Sequence, residues 1–204
     1  LGEKKTLNLF APIHKRSIFV GMKKAVVHNA VVYKSPIGEM VLCARGRALT
    51  GAWFVGQQHF AEGFNVKMVE KPAPVLKKTM QWLDKYFQGE NPEIDFPIEF
   101  YGTPFQKNVW QLLRIIPMGV TISYSELAKC LKALTGIGGG CARAMGSAVG
   151  RNPVSVIVPC HRVVGKRGKL TGYAGGLERK LYLLEHENAW NFLQMKNMFE
   201  PKPV

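Results

Sequence analysis

The hydrophobic positions change period along this chain. From Val26 to Phe54 they come in short β-branched and aromatic runs separated by turn residues. Val26-Val27 and Val31-Val32-Tyr33 lead into Ser35-Pro36-Ile37-Gly38, and Met40-Val41-Leu42-Cys43, Arg45-Gly46-Arg47 and Leu49 to Phe54 follow. Strand formers between such turns predict an antiparallel meander. Over 73–88 the period lengthens. Leu76, Met80, Leu83 and Phe87 recur at three to four residues and Gly89 supplies a stop, which predicts a helix. Residues 89–103 carry Gly, Pro and Asn without a period and read as a link between two domains.

The second half is helical in pattern. Thr103-Pro104-Phe105-Gln106 is a helix start, with Thr as N-cap, Pro at the first helical position and Gln three after the cap. Phe105, Val109, Leu112, Leu113 and Ile116 form its apolar face, and Pro117 ends it. Ser123 and Glu126 form a second capping box, opening a helix through Leu134. A glycine-rich turn, Thr135 to Gly140, separates it from a small-residue helix, Cys141 to Gly150. Two short helices around a glycine-bearing turn resemble a helix-turn-helix, although this turn is longer than usual. Val154 to Val158, behind Asn152-Pro153, reads as a short buried strand that ends at Cys160.

These elements predict an α/β (α+β) fold. The expected order is a possible flexible extension at 1–21, an N-terminal α/β domain at 22–89 and a linker at 90–102. A mostly helical domain at 103–188 with a winged helix-turn-helix-like unit and a tail at 189–204 complete it. The length of 204 residues is ample for a hydrophobic core. No transmembrane run or signal peptide is expected, because Lys and Arg interrupt the first 24 residues.

Charge narrows the partners. The formal net charge is +14, which fits a polyanionic partner or simply a basic soluble protein. From Cys141 to Lys180 there are eight Lys or Arg and a single acid, Glu178. In the small-residue helix Ala142, Ala144, Gly146, Ser147, Ala148 and Gly150 leave little bulk. That lets a DNA backbone approach closely, or another helix pack tightly. Arg143, alone among small neighbours, is suited to enter a groove or the base stack.

The candidate chemistry lies in Val158-Pro159-Cys160-His161-Arg162-Val163-Val164. A nucleophile and a proton carrier are adjacent there, and the cationic surroundings predict a low thiol pKa. The four cysteines form no C-x-x-C pair or zinc pattern, which fits a reducing compartment. Cys43, Cys130 and Cys141 are expected to be packing residues. His14, His28 and His59 read as ordinary histidines, and His186 receives no role.

Seven motifs occur in order: Gly102-Thr103-Pro104-Phe105-Gln106, Ser123-Tyr124, Ala142-Arg143-Ala144, Arg151-Asn152-Pro153, the Cys160 segment, Gly172-Tyr173-Ala174-Gly175-Gly176 and Leu183-Leu184-Glu185-His186-Glu187. With them the chain resembles the O6-alkylguanine-DNA alkyltransferases, or methylated-DNA–protein-cysteine methyltransferases, in their bacterial Ogt-like branch. The match is strong from about Tyr101 to Asn188 and weaker from Val26 to Gln88.

The resemblance implies DNA repair by direct reversal. The family moves an alkyl group from O6 of guanine, and also from O4 of thymine, irreversibly to a cysteine, one lesion per molecule. Cys160 is then the acceptor thiol. His161 assists its deprotonation through a water, since neighbours on an extended strand face opposite ways. Glu187, on the C-terminal helix, orients His161 in the manner of a hydrolase triad. Tyr124 donates to the purine, and Asn152 fixes the turn before the cysteine. Val163, Tyr173, Ala174 and Val149 shape the base pocket. Arg143 fills the space of the flipped nucleotide, and Ala142, Ser123, Thr103 and Arg151 join it on DNA. The expected partner is double-stranded DNA carrying O6-alkylguanine, with a monomeric protein, no membrane and no cofactor. The expected site of action is the bacterial cytoplasm beside the nucleoid, or the nucleus in a eukaryote.

Departures from the family pattern include Ala174, where many eukaryotic members carry serine, and Gly150, where the human-type sequence has arginine. The zinc ligands of some eukaryotic members have no counterparts, so no structural metal is expected. Two other readings stay open at this level. One is a non-catalytic protein that binds alkyl lesions, against which Cys160 itself argues. The other is a Cys-His hydrolase, for which the basic block would have no purpose.

Overall fold

The computed structural model describes residues 26–62, 66–136 and 142–189. The extension at 1–21, His14, residues 137–140, Cys141 and the tail from Trp190 onward lie outside the described residues, as does the side chain of Ala142.

Three strands form the expected meander: β1 (Val26–Ser35), β2 (Gly38–Arg45) and β3 (Ala48–Phe54). The β1–β2 turn places Gly38 at φ 118 and closes through Ser35 Oγ, which donates to Gly38 O at 2.5 Å. A further strand, β4 (Val66–Glu70), pairs in parallel with β1, giving the order β3-β2-β1-β4. Sequence pattern did not reveal it. A parallel partner needs a long crossover, and no local turn announces it.

Helix α1 (Pro74–Phe87) covers one face of this sheet with Val75, Leu76, Trp82, Leu83 and Tyr86. The opposite face holds a smaller cluster of Ala30, Val41, Cys43, Trp53 and Met68. There the Trp53 ring lies across Gly51, where an added Cβ would fall 1.9 Å from it. His28 is buried and bonded to Thr50 Oγ1 at 2.9 Å.

Residues 90–102 pack along β3. Leu49 N–H donates to Pro97 O and Glu99 N–H to Leu49 O, each at 2.9 Å, and Phe96 and Phe100 are buried. A segment without a period is thus ordered by backbone pairing that alternation does not report.

The second half contains α2 (Pro104–Leu113), β5 (Ile122–Ser123), α3 (Tyr124–Thr135), α4 (Ala142–Gly150), β6 (Val163–Val164) and α5 (Leu177–His186). Both predicted capping boxes form, at Thr103 with Gln106 and at Ser123 with Glu126. Trp110 Nε1 donates to Ala148 O at 2.8 Å and fixes α4 against α2. The inner face of α4 buries Met145, Ala148 and Val149, while Arg143 and Ser147 stay exposed. The small-residue helix therefore packs tightly on one side and presents an open surface on the other.

One hydrophobic cluster runs through both halves, joining Leu42, Phe54 and Tyr86 to Val109, Met145 and Val158. Arg179 adds a polar tie. Its Nε donates to Ile37 O at 2.8 Å and its Nη1 to Gly175 O at 2.7 Å, with the guanidinium 4.7 Å from the Phe54 ring centre.

Candidate active site

The segment before Cys160 is not a strand. Val154 makes one isolated bridge to Ala52, the chain turns through residues 155–157, and Val156 adopts a φ of 70. A β-branched residue at positive φ is strained and persists where its surroundings over-determine it. Asn152 supplies much of that constraint. Its Oδ1 accepts from Val154 N–H at 3.0 Å, and its Nδ2 donates to Val158 O at 2.8 Å. Ala52 N–H donates to Pro153 O at 2.9 Å and Ser155 N–H to Ala52 O at 2.8 Å, docking the turn on β3. The apolar run predicted a strand because it is buried on all sides. The hydrogen-bonding of Asn152 selects a turn instead.

Cys160 opens a single 3-10 turn, Cys160–Arg162, which leads into β6. β6 pairs in parallel with β5, Ile122 opposite Val163 and Ser123 opposite Val164. Tyr124 follows directly on β5, so this two-residue ladder draws the Tyr124 and Cys160 segments together.

Cys160 is 5% exposed, and its Sγ accepts from Asn152 Nδ2 at 3.1 Å. The expected low thiol pKa is not what the resting site gives. Burial pushes the thiol up, and this outweighs the opposing pull of Asn152, of the Lys180 ammonium and of nearby backbone N–H groups. The site therefore stores a neutral thiol that needs a base.

His161 is fully buried, and its Nε2 lies 2.7 Å from Glu187 Oε1. Glu187 caps the end of α5 rather than lying within it. Its carboxylate also accepts from Tyr86 Oη at 2.7 Å, from Arg162 Nη2 at 2.9 Å and from Arg162 Nε at 2.8 Å. Burial opposes the charge on Glu187, but His161 and Arg162 outweigh it and hold the carboxyl well below its usual range. Burial lowers the His161 pKa despite the Glu187 charge, so the imidazole is neutral near pH 7. A carboxylate accepts and does not donate, so Nε2 carries the ring proton. Nδ1, which has no protein partner, keeps the basic lone pair.

Three further residues, Lys180, Tyr86 and Arg162, belong to this network. Lys180 is fully buried, and its Nζ donates to Val163 O and Thr171 O at 2.6 Å and to Gly172 O at 3.3 Å. Burial lowers its pKa to about 8. Its signal was a lysine on the apolar face of α5, in step with Leu183 and Leu184. Tyr86 gave no signal beyond its place in the apolar pattern of α1. Arg162 lay inside the motif without a task.

A cleft of about 190 Å³ is lined by Gln58, His59, Tyr124, Gly146, Tyr173 and Ala174 among others. Of the residues expected around the base, Tyr173 and Ala174 line it, and Tyr124 lies beside them. Val149 and Val163 do not; they are 3% and 0% exposed in the core.

The DNA-side candidates divide by environment. Arg143 is exposed on α4. Arg151 pairs with Glu62 at 3.5 Å and also bonds Ser147. Ser123 and Thr103 spend their hydroxyls as helix caps. Ala142 opens α4. The basic block is smaller at the surface than in sequence, since Arg162 and Lys180 are buried and Arg179 is half-buried. Cys130, expected in the core, is exposed. Among the described residues no cluster of His, Cys, Asp and Glu is arranged to hold a metal ion, and no helix is long and apolar enough to cross a membrane.

Residues 104–189 match the family model for the 6-O-methylguanine DNA methyltransferase DNA-binding domain, and residues 30–100 match its ribonuclease-like domain. A methylated-DNA–protein-cysteine methyltransferase of Mycobacterium leprae is 44% identical over 153 residues, covering 75% of this chain and 88% of that protein. A Salmonella typhimurium protein of the same name is 51% identical over 127 residues, covering 62% and 69%. The Mycobacterium tuberculosis OGT solved in complex with DNA superposes with a TM-score of 0.67 at 38% identity, covering 82% of this chain and 99% of that one. The chain belongs to the methylated-DNA–protein-cysteine methyltransferase family.

Proposed function

We propose that this protein reverses DNA alkylation directly, taking the alkyl group from O6 of guanine onto Cys160. The sulfur attacks the alkyl carbon in line, the carbon–oxygen bond breaks, and its electron pair returns to the purine. The thiol proton passes to His161 Nδ1, and Glu187 balances the imidazolium that forms. Tyr124 donates to the purine as the leaving group gains charge. The thioether is stable and the protein is consumed. O4-alkylthymine presents the same type of alkyl–oxygen bond and is the second substrate we propose.

The observation that carries this reading is the buried Glu187–His161 pair next to a thiol kept neutral by burial. The surface supports duplex DNA as the partner, with Arg143, Arg151, Lys166, Arg167 and Lys169 as the cations of the basic block outside the core. Extruding the lesion costs a few kcal/mol, less for a damaged pair, which favours lesions over intact guanine. Arg143 takes the vacated place in the stack. The compartment that holds the substrate DNA is the proposed place of action.

The test is intact-protein mass and peptide mapping after incubation with a duplex carrying one O6-methylguanine. One methyl group on Cys160, saturating at one per molecule, is expected. An unchanged mass with reduced thiols, or repeated turnover, overturns the reading.

A further inference from the structure

Two walls of the cleft come from neither the cysteine segment nor the DNA-side helices. Gln58 and His59 belong to the loop that follows β3, and they line the cleft together with Tyr124, Gly146 and Ala174. The loop is fastened there. Gln58 N–H donates to Ala174 O at 2.9 Å. Gln57 Oε1 accepts from Phe54 N–H at 2.8 Å and from Ser155 Oγ at 3.2 Å. Glu62 bonds His59 and lies 3.5 Å from Arg151 Nε. His59 and Ala61 both hold left-handed backbone, at φ 58 and 50. That conformation is unfavourable for an L-residue and survives where the surroundings impose it.

Side-chain bulk around this cleft is unevenly distributed. Gly146, Gly150, Gly172 and Ala174 contribute almost none. Tyr124 and Tyr173 contribute much, and Tyr124 follows directly on β5, which pairs with the β6 strand that leaves the Cys160 turn. The remaining large side chains are those of Gln58 and His59, and both residues are exposed.

The geometry points to Gln58 and His59 as specificity-determining residues that limit the size of the O6 substituent able to approach Cys160. This rests on the alkyltransferase reading. The β3 loop thereby gives the N-terminal half a part in substrate choice: trimming it enlarges the cleft while leaving Cys160, His161, Glu187 and Tyr124 in place. His59→Asn is the suitable change, because Asn tolerates left-handed backbone and removes most of the ring. Gln58→Ala keeps the backbone bond to Ala174.

The experiment compares two single-stranded oligonucleotides, one with O6-methylguanine and one with O6-benzylguanine. The rate of Cys160 alkylation is read by intact mass for the full chain and its variants. The benzyl-to-methyl rate ratio is expected to rise about tenfold in Gln58→Ala/His59→Asn, the range that pocket contacts of this size command. If the double variant fails to fold, His59→Asn alone is expected to raise the ratio about threefold. A ratio that falls, or stays within about twofold of the parent in a folded variant, overturns the proposal. A parent protein that takes up neither group overturns the alkyltransferase reading itself, so the two failures are distinguishable.

Discussion

Nε2 of His161 donates to Glu187 Oε1 across 2.7 Å, and this contact decides which ring nitrogen acts as a base. With Nε2 protonated, only Nδ1 can receive the thiol proton. The active form is then neutral thiol with neutral imidazole, and that pair exists over a wide pH range.

The rate of transfer should therefore be flat from about pH 6.5 to pH 8 and fall at lower pH, where His161 protonates. His161→Gln should convert the plateau into a rate proportional to hydroxide, because only the spontaneous thiolate remains. Stopped-time alkylation across pH, measured for both proteins, checks this. A parent profile that rises steadily through pH 8 would assign catalysis to free thiolate.

Acid should weaken the fold in two stages. His161 has its pKa lowered from 6.5, and Glu187 from 4.5, so each binds fewer protons folded than unfolded. Both contributions are complete above those ordinary values and are lost as pH falls through the folded ones. Stability should decline below about pH 6.5 and more steeply below 4.5. Glu187→Gln should cost about 3–5 kcal/mol at pH 7, because Arg162 is left buried without its partner. That deficit should shrink below pH 4.5, where the unfolded parent takes up a proton that the folded carboxylate still refuses. Urea midpoints against pH measure both effects.

Lys180 holds three carbonyls along the thiol segment and the cleft wall. Lys180→Met should destabilise the fold by about 3 kcal/mol, since those oxygens lose a buried donor. It should also raise the thiol pKa further. Thermal unfolding and the pH dependence of iodoacetamide labelling at Cys160 report the two effects separately. An unchanged labelling profile would leave Lys180 a purely structural role.

Arg143→Ala should slow repair of duplex DNA by at least about tenfold while leaving reaction with free O6-benzylguanine nearly unchanged, because only the duplex must be unstacked. Parallel rate measurements on the two substrates decide it, and equal losses would remove Arg143 from the flipping step. Duplex binding should also weaken with added salt as counterion release is lost.

The features legible in the sequence are those set by near neighbours. Thr103 with Gln106 and Ser123 with Glu126 form their boxes because cap and partner lie three residues apart. The meander follows from alternating strand and turn chemistry. β4 gives no local signal because its partner strand lies far along the chain, and the Val154–Val158 run has a strand-like pattern because burial looks alike in a strand and in a buried turn. Tyr86 escaped because its partner, Glu187, lies in the other half of the chain. Gln58 and His59 carry no motif at all; only the folding of their loop against Ala174 brings them to the cleft.

The contact between Tyr86 and Glu187 reaches across the boundary where the two family models meet, between residues 100 and 104. Each module is recognisable alone, but the carboxylate that polarises the base takes one of its hydrogen bonds from the other module. Excising residues 104–189 would retain Cys160, His161 and Glu187 and still return a detuned reagent, with Glu187 short of a donor and the thiol turn deprived of Ala52. The boundary that divides the chain for recognition does not divide it for chemistry.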